Sequence, residues 1–260
     1  MLPDKANSRK SIEPGFCFDR RIFPAYNGGN MAYPGISIFF PAFNEEKNIE
    51  NTVKAAVLAA TPLFSDFEII IIDDGSKDKT PEIIDSLAKS DKNIKAVHHP
   101  ENKGYGAAVR SGFVNATKEL VFFTDGDSQF DISEIKLLLP LINEADLVIG
   151  YRIKRRDPLH RRLFAKLWGA FIAVLFNIWV SDMDCAFKLI KRKVIQNLDL
   201  KSNGAFISAE LLIKAKKKGF KIKQVGVHHY PRKEGKQTGA NIKVILKAFY
   251  ELSKLWRDLR

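Results

Sequence analysis

Cysteine is nearly absent from this 260-residue chain, which holds only Cys17 and Cys185. Two thiols cannot staple a disulfide framework or build a structural zinc site by themselves, so a reducing compartment is the expectation. No apolar run long enough for a signal peptide precedes the first periodic segment, and secretion is not expected. Long hydrophobic runs are missing too. The most apolar stretch, Leu163 to Val180, is interrupted by Lys166 and Asn177, and its uncharged part, Leu167 to Phe176, falls well short of the roughly 20 residues that span a bilayer. There is no GxxxxGK[ST] phosphate loop, no internal repeat and no low-complexity tract.

Each half of the chain is poor in charge of one sign. Residues 1–150 carry 16 Lys/Arg against 22 Asp/Glu, and residues 151–260 carry 26 against 8. The net +12 is therefore an acidic half followed by a strongly basic one. A basic surface of this size seeks phosphates, whether on nucleic acid, on anionic lipid headgroups or on a phosphorylated substrate. With 45% apolar and 28% charged residues the chain can fill a core, which excludes a disordered or polytopic membrane protein.

Residues 1–35 mix Pro, Gly, Asn and charges without a period and read as an N-terminal extension. From Ile36 the pattern sharpens. The spacing predicts strands over 36–40, 67–72, 94–98 and 120–124, the first ended by Pro41. Between them it predicts a helix from Glu45 to Ala60, one capped by Thr80 with Pro81 at its first position, and one from Gly106 to Ala116. Strands alternating with helices of this length mean βαβ units and a mostly parallel α/β sheet.

Ligands of open α/β sheets bind beyond the carboxyl ends of the strands. Three such ends carry Pro41-Ala42-Phe43-Asn44-Glu45-Glu46, Asp73-Asp74-Gly75-Ser76 and Asp125-Gly126-Asp127-Ser128-Gln129, so one rim collects three acidic turns. Asp125 and Asp127, two apart on leaving a strand, can grip a hard divalent cation, with Gln129 adding an amide oxygen; Mg²⁺ and Mn²⁺ favour oxygen ligands and leave positions for substrate phosphates. The competing reading is an acidic turn capping the next helix, a task for Asp131. A calcium loop fails, because Phe130 and Lys136 stand where Gly and Glu are required. Gly104-Tyr105-Gly106 lacks the third glycine of a dinucleotide fingerprint, since Val109 occupies it, and close backbone packing is the plainer role. The pairs His98-His99 and His228-His229 are poor chelates, because neighbours on a strand face opposite ways.

Taken in order, these segments are similar to family-2 glycosyltransferases. The resemblance also covers Asn102-Lys103-Gly104-Tyr105-Gly106-Ala107-Ala108-Val109-Arg110-Ser111-Gly112, Gly150-Tyr151-Arg152, Asp182-Met183-Asp184-Cys185-Ala186-Phe187-Lys188 and Pro231-Arg232. Within the family the chain resembles the dolichol-phosphate mannosyltransferase and polyprenyl-phosphate glycosyltransferase branch, over about residues 36–240. Cys185-Ala186-Phe187-Lys188 departs from the usual Cys-Gly-Phe-Arg/Lys, and Arg232-Lys233-Glu234-Gly235-Lys236-Gln237 departs from Arg-x-x-Gly-x-Ser.

The resemblance implies a GT-A fold with a Rossmann-like nucleotide-sugar-binding half, a nucleotide-sugar donor and inverting transfer. It implies that Pro41, Asn44, Glu46, Asp73, Asp74, Gly104, Asp125 and Gly126 hold the donor and that Asp125, Asp127 and Gln129 hold Mg²⁺ or Mn²⁺. Arg152, Arg161, Arg162, Lys188 and Arg232 would then meet phosphates. A lipid-phosphate acceptor arrives ionised and needs no strong base; a hydroxyl acceptor needs a carboxylate, for which Asp182 and Asp184 are the candidates. The expected activity is hexose transfer from a nucleotide sugar, such as GDP-mannose or UDP-glucose, to a polyprenyl or dolichyl phosphate at the cytoplasmic membrane face. The alternative is a soluble saccharide or protein acceptor. A nucleic-acid-binding protein would explain the basic half but not three acidic turns, which repel a phosphate backbone.

The last segment, 241–260, reads as a basic amphipathic helix. Ile242, Ile245, Leu246, Phe249, Leu252, Trp256 and Leu259 alternate with Lys243, Lys247, Lys254 and Arg257. With Trp168, Phe171, Phe176 and Trp179 it can rest on an anionic membrane, or its stripe can dock on the domain.

Overall fold

The computed structural model describes residues 33–153, 159–232 and 242–258, apart from the side chains of 159–166 and 242–246. The first 32 residues, most of the expected N-terminal extension, lie outside the described residues.

The acidic half forms β1 (Ile36–Ala42), α1 (Ile49–Ala60), β2 (Phe67–Asp73), α2 (Thr80–Ser90), β3 (Ile94–His98), α3 (Tyr105–Asn115) and β4 (Leu120–Thr124). A 3₁₀ turn (Ile132–Glu134), α4 (Ile135–Ile142) and β5 (Leu147–Ile153) follow, then α5 (Leu159–Phe176), β6 (Phe187–Lys191), α6 (Arg192–Gln196), α7 (Ile207–Lys217), β7 (Ile222–His228) and α8 (Ile242–Asp258). The seven strands lie in the order β3-β2-β1-β4-β6-β5-β7, all parallel except β6, which runs antiparallel to both β4 and β5.

Strands β1, β2 and β4 read as unbroken apolar runs because both of their faces are covered. Ile36, Ile38, Phe40, Ile69, Ile71 and Phe122 pack with α1 and α4 on one face. Phe39, Ile70, Ile72, Val121 and Phe123 meet α3, α5, α7 and α8 on the other. Glu68 is an exception within β2. Its buried carboxylate accepts from Ser37 Oγ at 2.6 Å, Lys95 Nζ at 2.6 Å, and the backbone N–H and hydroxyl of Thr117 at 2.8 Å each.

Three local expectations are corrected. Pro41 lies inside β1 rather than ending it: it pairs with Ile72, while the β1–β4 ladder stops at Phe39, so its missing N–H falls beyond the last β4 partner. The first helix begins at Ile49, because Glu45 to Asn48 form a turn in which the N–H groups of Asn48 and Ile49 both donate to the Glu45 carbonyl. Thr80 is the first helical residue and not the cap. Asp78 accepts from the Thr80 N–H at 3.0 Å and from its hydroxyl at 2.6 Å.

The order of strands across the sheet reverses between the parallel neighbours β1 and β4: β1 leads outward to β2 and β3, and β4 opens toward the other edge. Crevices at such switch points hold the ligands of open α/β sheets. The antiparallel β6 brings its first residue, Phe187, opposite Thr124, the last residue of β4.

Candidate active site

The loops after β1 and β2 are laced together at the rim. Asn44 adopts a left-handed φ of 56°. Its N–H donates to Ser76 Oγ at 2.9 Å, and its side-chain oxygen accepts from Lys77 N at 2.8 Å. Glu46 accepts from Lys79 N at 3.1 Å. Asp73 accepts from Ser76 N at 2.9 Å and faces His98 Nδ1 at 3.1 Å. Pro41, Asn44, Glu46 and Asp73 thus converge as the sequence pattern implies, although much of their polar capacity holds the rim together.

Asp74 has a different task from the donor contact expected of it. It is buried, and its oxygens accept from His99 Nδ1 at 2.6 Å, Lys103 N at 2.9 Å and Gly104 N at 2.9 Å. His98 and His99 turn to different partners, as strand alternation requires. Gly104 has φ 97°, and a Cβ there would stand 2.5 Å from the Asn203 carbonyl. Gly106 donates to that same carbonyl at 3.0 Å. The close-packing role of both glycines is what the structure displays.

Beyond β4, Asp125 receives a hydrogen bond from the Tyr105 hydroxyl. Burial, then repulsion from Asp127, pushes the Asp125 carboxyl up to about 7. Asp127 is also raised, chiefly by burial. Two acids crowded until one keeps its proton near neutrality form a site short of positive charge. The donor atoms are all oxygen, and among the described residues no third His, Cys, Asp or Glu completes a protein-only metal cage. That composition suits Mg²⁺ or Mn²⁺, which take one or two carboxylates and fill the remaining positions with substrate phosphate and water. Gly126 packs beneath the Pro41 carbonyl, and its own carbonyl accepts from Thr52 Oγ1 at 3.2 Å. The Gln129 side-chain NH₂ donates to the Tyr230 carbonyl at 2.9 Å, fixing its amide, while its N–H donates to Asp127 at 3.1 Å. Asp131 accepts from Ser133 N at 3.0 Å, the capping task anticipated for it.

Cations reach this rim from the basic half. Arg152, near the end of β5, forms a bidentate pair with Asp182 at 2.6 and 2.8 Å. Asp182 is therefore the partner of an arginine and not a poised base, and Asp184 is exposed. Arg232, four residues past β7, bonds to Glu45 and stands 3.6 Å from Asp127. Lys188 corrects the expectation of a phosphate contact. It is 0% exposed, donates to the Met183 carbonyl at 3.3 Å and to that of Cys185, and lies 5.3 Å over the Phe123 ring. It fastens the turn ahead of β6 and lends charge to Asp125 from behind. Arg161 and Arg162 fall on α5, where their side chains lie outside the described residues.

Sequence reasoning missed Glu45 as the seat of Arg232 and Tyr105 as the partner of Asp125. Both stand inside motifs it singled out, but their partners are distant in sequence, and only folding reveals them.

A mostly parallel α/β sheet with paired acids at its switch point, and arginines brought toward them from the basic half, defines a ligand-binding class of fold and site. The chain belongs to the family Glycosyl transferase family 2, whose model matches residues 37–199. It is 28% identical over 212 residues to the glycosyltransferase AglD of Haloferax volcanii, covering 77% of this chain and 34% of that protein. It is 31% identical over 234 residues to a dolichyl-phosphate beta-glucosyltransferase of Trichomonas vaginalis, covering 79% of this chain and 72% of that one. Among solved structures it resembles glucosyl-3-phosphoglycerate synthase of Mycobacterium tuberculosis in complex with Mn²⁺, UDP and glucosyl-3-phosphoglycerate. There the TM-score is 0.59 at 22% identity, over 87% of this chain and 79% of that one. The chain spans between about a third and two thirds of the length of several curated relatives.

Proposed function

We propose that the protein is a metal-dependent, inverting hexosyltransferase that moves a sugar from a nucleotide-sugar donor to a polyprenyl phosphate. One observation carries the reading: Asp125 and Asp127 lie at the switch point with Arg152 and Arg232 brought to them from the basic half. Breaking a sugar–diphosphate bond builds negative charge on the departing nucleoside diphosphate, and preorganised cations lower that barrier. Asp125 and Asp127 would hold a divalent cation, which when bound would supply Lewis-acid stabilisation of the diphosphate. Asp73, with the loops laced by Asn44 and Glu46, forms the shelf for the nucleoside. The acceptor phosphate is already ionised when it attacks the anomeric carbon from the face opposite the leaving group, so Asp184 need not act as base. Relatives named dolichyl-phosphate beta-glucosyltransferase and undecaprenyl-phosphate 4-deoxy-4-formamido-L-arabinose transferase support this acceptor class.

A membrane surface accompanies such an acceptor. No helix among the described residues is long and apolar enough to cross a bilayer. Among the described side chains of α8, Leu252 and Leu255 are buried and the Trp256 ring lies 5.6 Å from that of Phe176. What remains exposed is a patch shared by two helices: Leu167, Phe171 and Val174 of α5 beside Phe249 and Tyr250 of α8, with Trp179 nearby. Together with the basic half, this patch supports peripheral binding to anionic lipid. The soluble-acceptor reading is favoured by the fold's likeness to a synthase whose complex holds glucosyl-3-phosphoglycerate.

Incubating the protein with a panel of nucleotide sugars, Mn²⁺ and either polyprenyl phosphate or phosphoglycerate separates the two readings. A glycolipid product is the expected result. A soluble sugar-phosphate product in its place would assign the alternative acceptor, and donor bound without transfer would sink both.

A further inference from the structure

The three contacts of Asp74 connect it to the metal-site acids through a chain of fixed groups. Ser111 Oγ lies 2.8 Å from His99 Nε2, and His99 Nδ1 lies 2.6 Å from Asp74. The carboxylate of Asp74 then holds the N–H groups of Lys103 and Gly104, the two residues before Tyr105. On its other side Gly104 abuts the Asn203 carbonyl, so the peptide entering α3 is clamped between two elements. Tyr105 opens the helix from this clamp, and its hydroxyl donates to Asp125.

Serine, histidine and aspartate at these distances have the composition of a hydrolytic triad. The setting denies that role. Ser111 lies inside α3, where its N–H belongs to the helix ladder, and the nearby N–H groups of Lys103 and Gly104 are spent on Asp74, so these groups supply no oxyanion donor.

We propose that Asp74, His99 and Ser111 are positioning residues that fix Tyr105, and that the Tyr105 hydroxyl in turn orients the Asp125 carboxylate toward the divalent cation. The inference rests on the reading of Asp125 as a metal ligand. Ordering by a second layer of hydrogen bonds is how ligand geometry at metal sites is held. A hydrogen bond from the Tyr105 phenol to Asp125 would hold that carboxylate in one orientation. The relay therefore acts on cation affinity more than on the fold.

The test uses the full chain as wild type, Tyr105→Phe, His99→Asn, Ser111→Ala and the double variant Tyr105→Phe/His99→Asn. Mn²⁺ affinity is measured by water-proton relaxation without nucleotide. A parallel set labelled with 3-fluorotyrosine gives a fluorine resonance for position 105, assigned by its loss in Tyr105→Phe. Tyr105→Phe is expected to weaken Mn²⁺ binding about tenfold, the size of one hydrogen bond to a charged group. His99→Asn and Ser111→Ala should shift the position-105 resonance and weaken Mn²⁺ by less, and the His99 effect should vanish on the Tyr105→Phe background. Unchanged Mn²⁺ affinity in Tyr105→Phe overturns the proposal, as does an additive double variant. If His99→Asn fails to fold, Ser111→Ala carries the same comparison. A wild type that binds no Mn²⁺ overturns the metal reading instead. The fluorine resonance then decides the relay by itself: it stands if the resonance moves and falls if it does not.

Discussion

Arg232 and Asp127, more than a hundred residues apart in the chain, meet at 3.6 Å, and the same guanidinium bonds to Glu45. The arginine holds the place opposite a carboxylate that a divalent cation would also claim. A bound diphosphate would offer it a second set of oxygens. Arg232→Ala is expected to lower kcat/KM for transfer about a hundredfold, the size seen when one preorganised donor is removed from developing charge. Arg232→Lys should recover only part of this, because a point charge cannot fork between two acceptors. Full activity in Arg232→Ala, with donor KM unchanged, would reduce the residue to a structural clasp.

The paired acids make cation binding depend on pH. Burial and the neighbouring Asp127 raise Asp125 to about 7, so protons compete with the cation below that pH. Mn²⁺ affinity should rise as pH increases through about 7. In Asp127→Asn the cation should be lost and transfer abolished while the fold survives.

The same shift has a consequence for stability in the absence of metal. A carboxyl whose folded pKa lies above its unfolded value favours the fold while protonated, and that contribution fades as pH climbs from the unfolded value through about 7. Asp125→Asn should therefore raise the metal-free Tm at pH 8, by a few °C on the order expected for a chain of this size, and much less at pH 4. Saturating Mn²⁺ should reverse the ranking. Equal Tm values at pH 8 would show that neither burial nor Asp127 penalises the Asp125 carboxylate.

Glu68 works in the opposite sense. Burial alone would raise it, but hydrogen bonds from Lys95, Ser37 and Thr117 prevail and hold it at about 2. Its stabilisation is complete above the unfolded carboxylate value and is lost as pH falls toward 2. Lys95 is half exposed, so water screens part of the effect. Glu68→Gln should cost about 2 kcal/mol in urea unfolding at pH 7 and far less at pH 3.

Phe171→Ser combined with Phe249→Ser should weaken co-sedimentation with anionic vesicles without altering binding of donor nucleotide. Added salt should weaken wild-type binding as well, since exposed charge is screened over about 8 Å at physiological ionic strength. Wild-type protein that stays in the supernatant at low salt would remove the membrane from the reading.

The first four strands were legible because β1, β2 and β4 are buried on both faces, and each ends in a recognisable acidic turn. The later sheet was not. In β6, Phe187-Lys188-Leu189-Ile190-Lys191 reads as a charged segment, yet Lys188 is fully buried and capped by carbonyls. In β7, an edge strand, Lys223, Gln224 and Gly226 break the apolar run. At the site, residue types and spacing pointed to the Asp125–Asp127 pair, and the family resemblance pointed to Arg152 and Arg232. They could not separate Asp182 from Asp184, because that distinction is a contact between β5 and the turn before β6. Nor could they reveal that Asp74 faces inward, which depends on His99 arriving from the end of β3.

The reversed direction of β6 makes the site sensitive to the length of chain that precedes this strand. Parallel strands send their ends to the ligand rim, whereas β6 sends its beginning, Phe187, there and its end, Lys191, to the far edge. A single residue gained or lost between α5 and Phe187 would drag Asp182 away from Arg152.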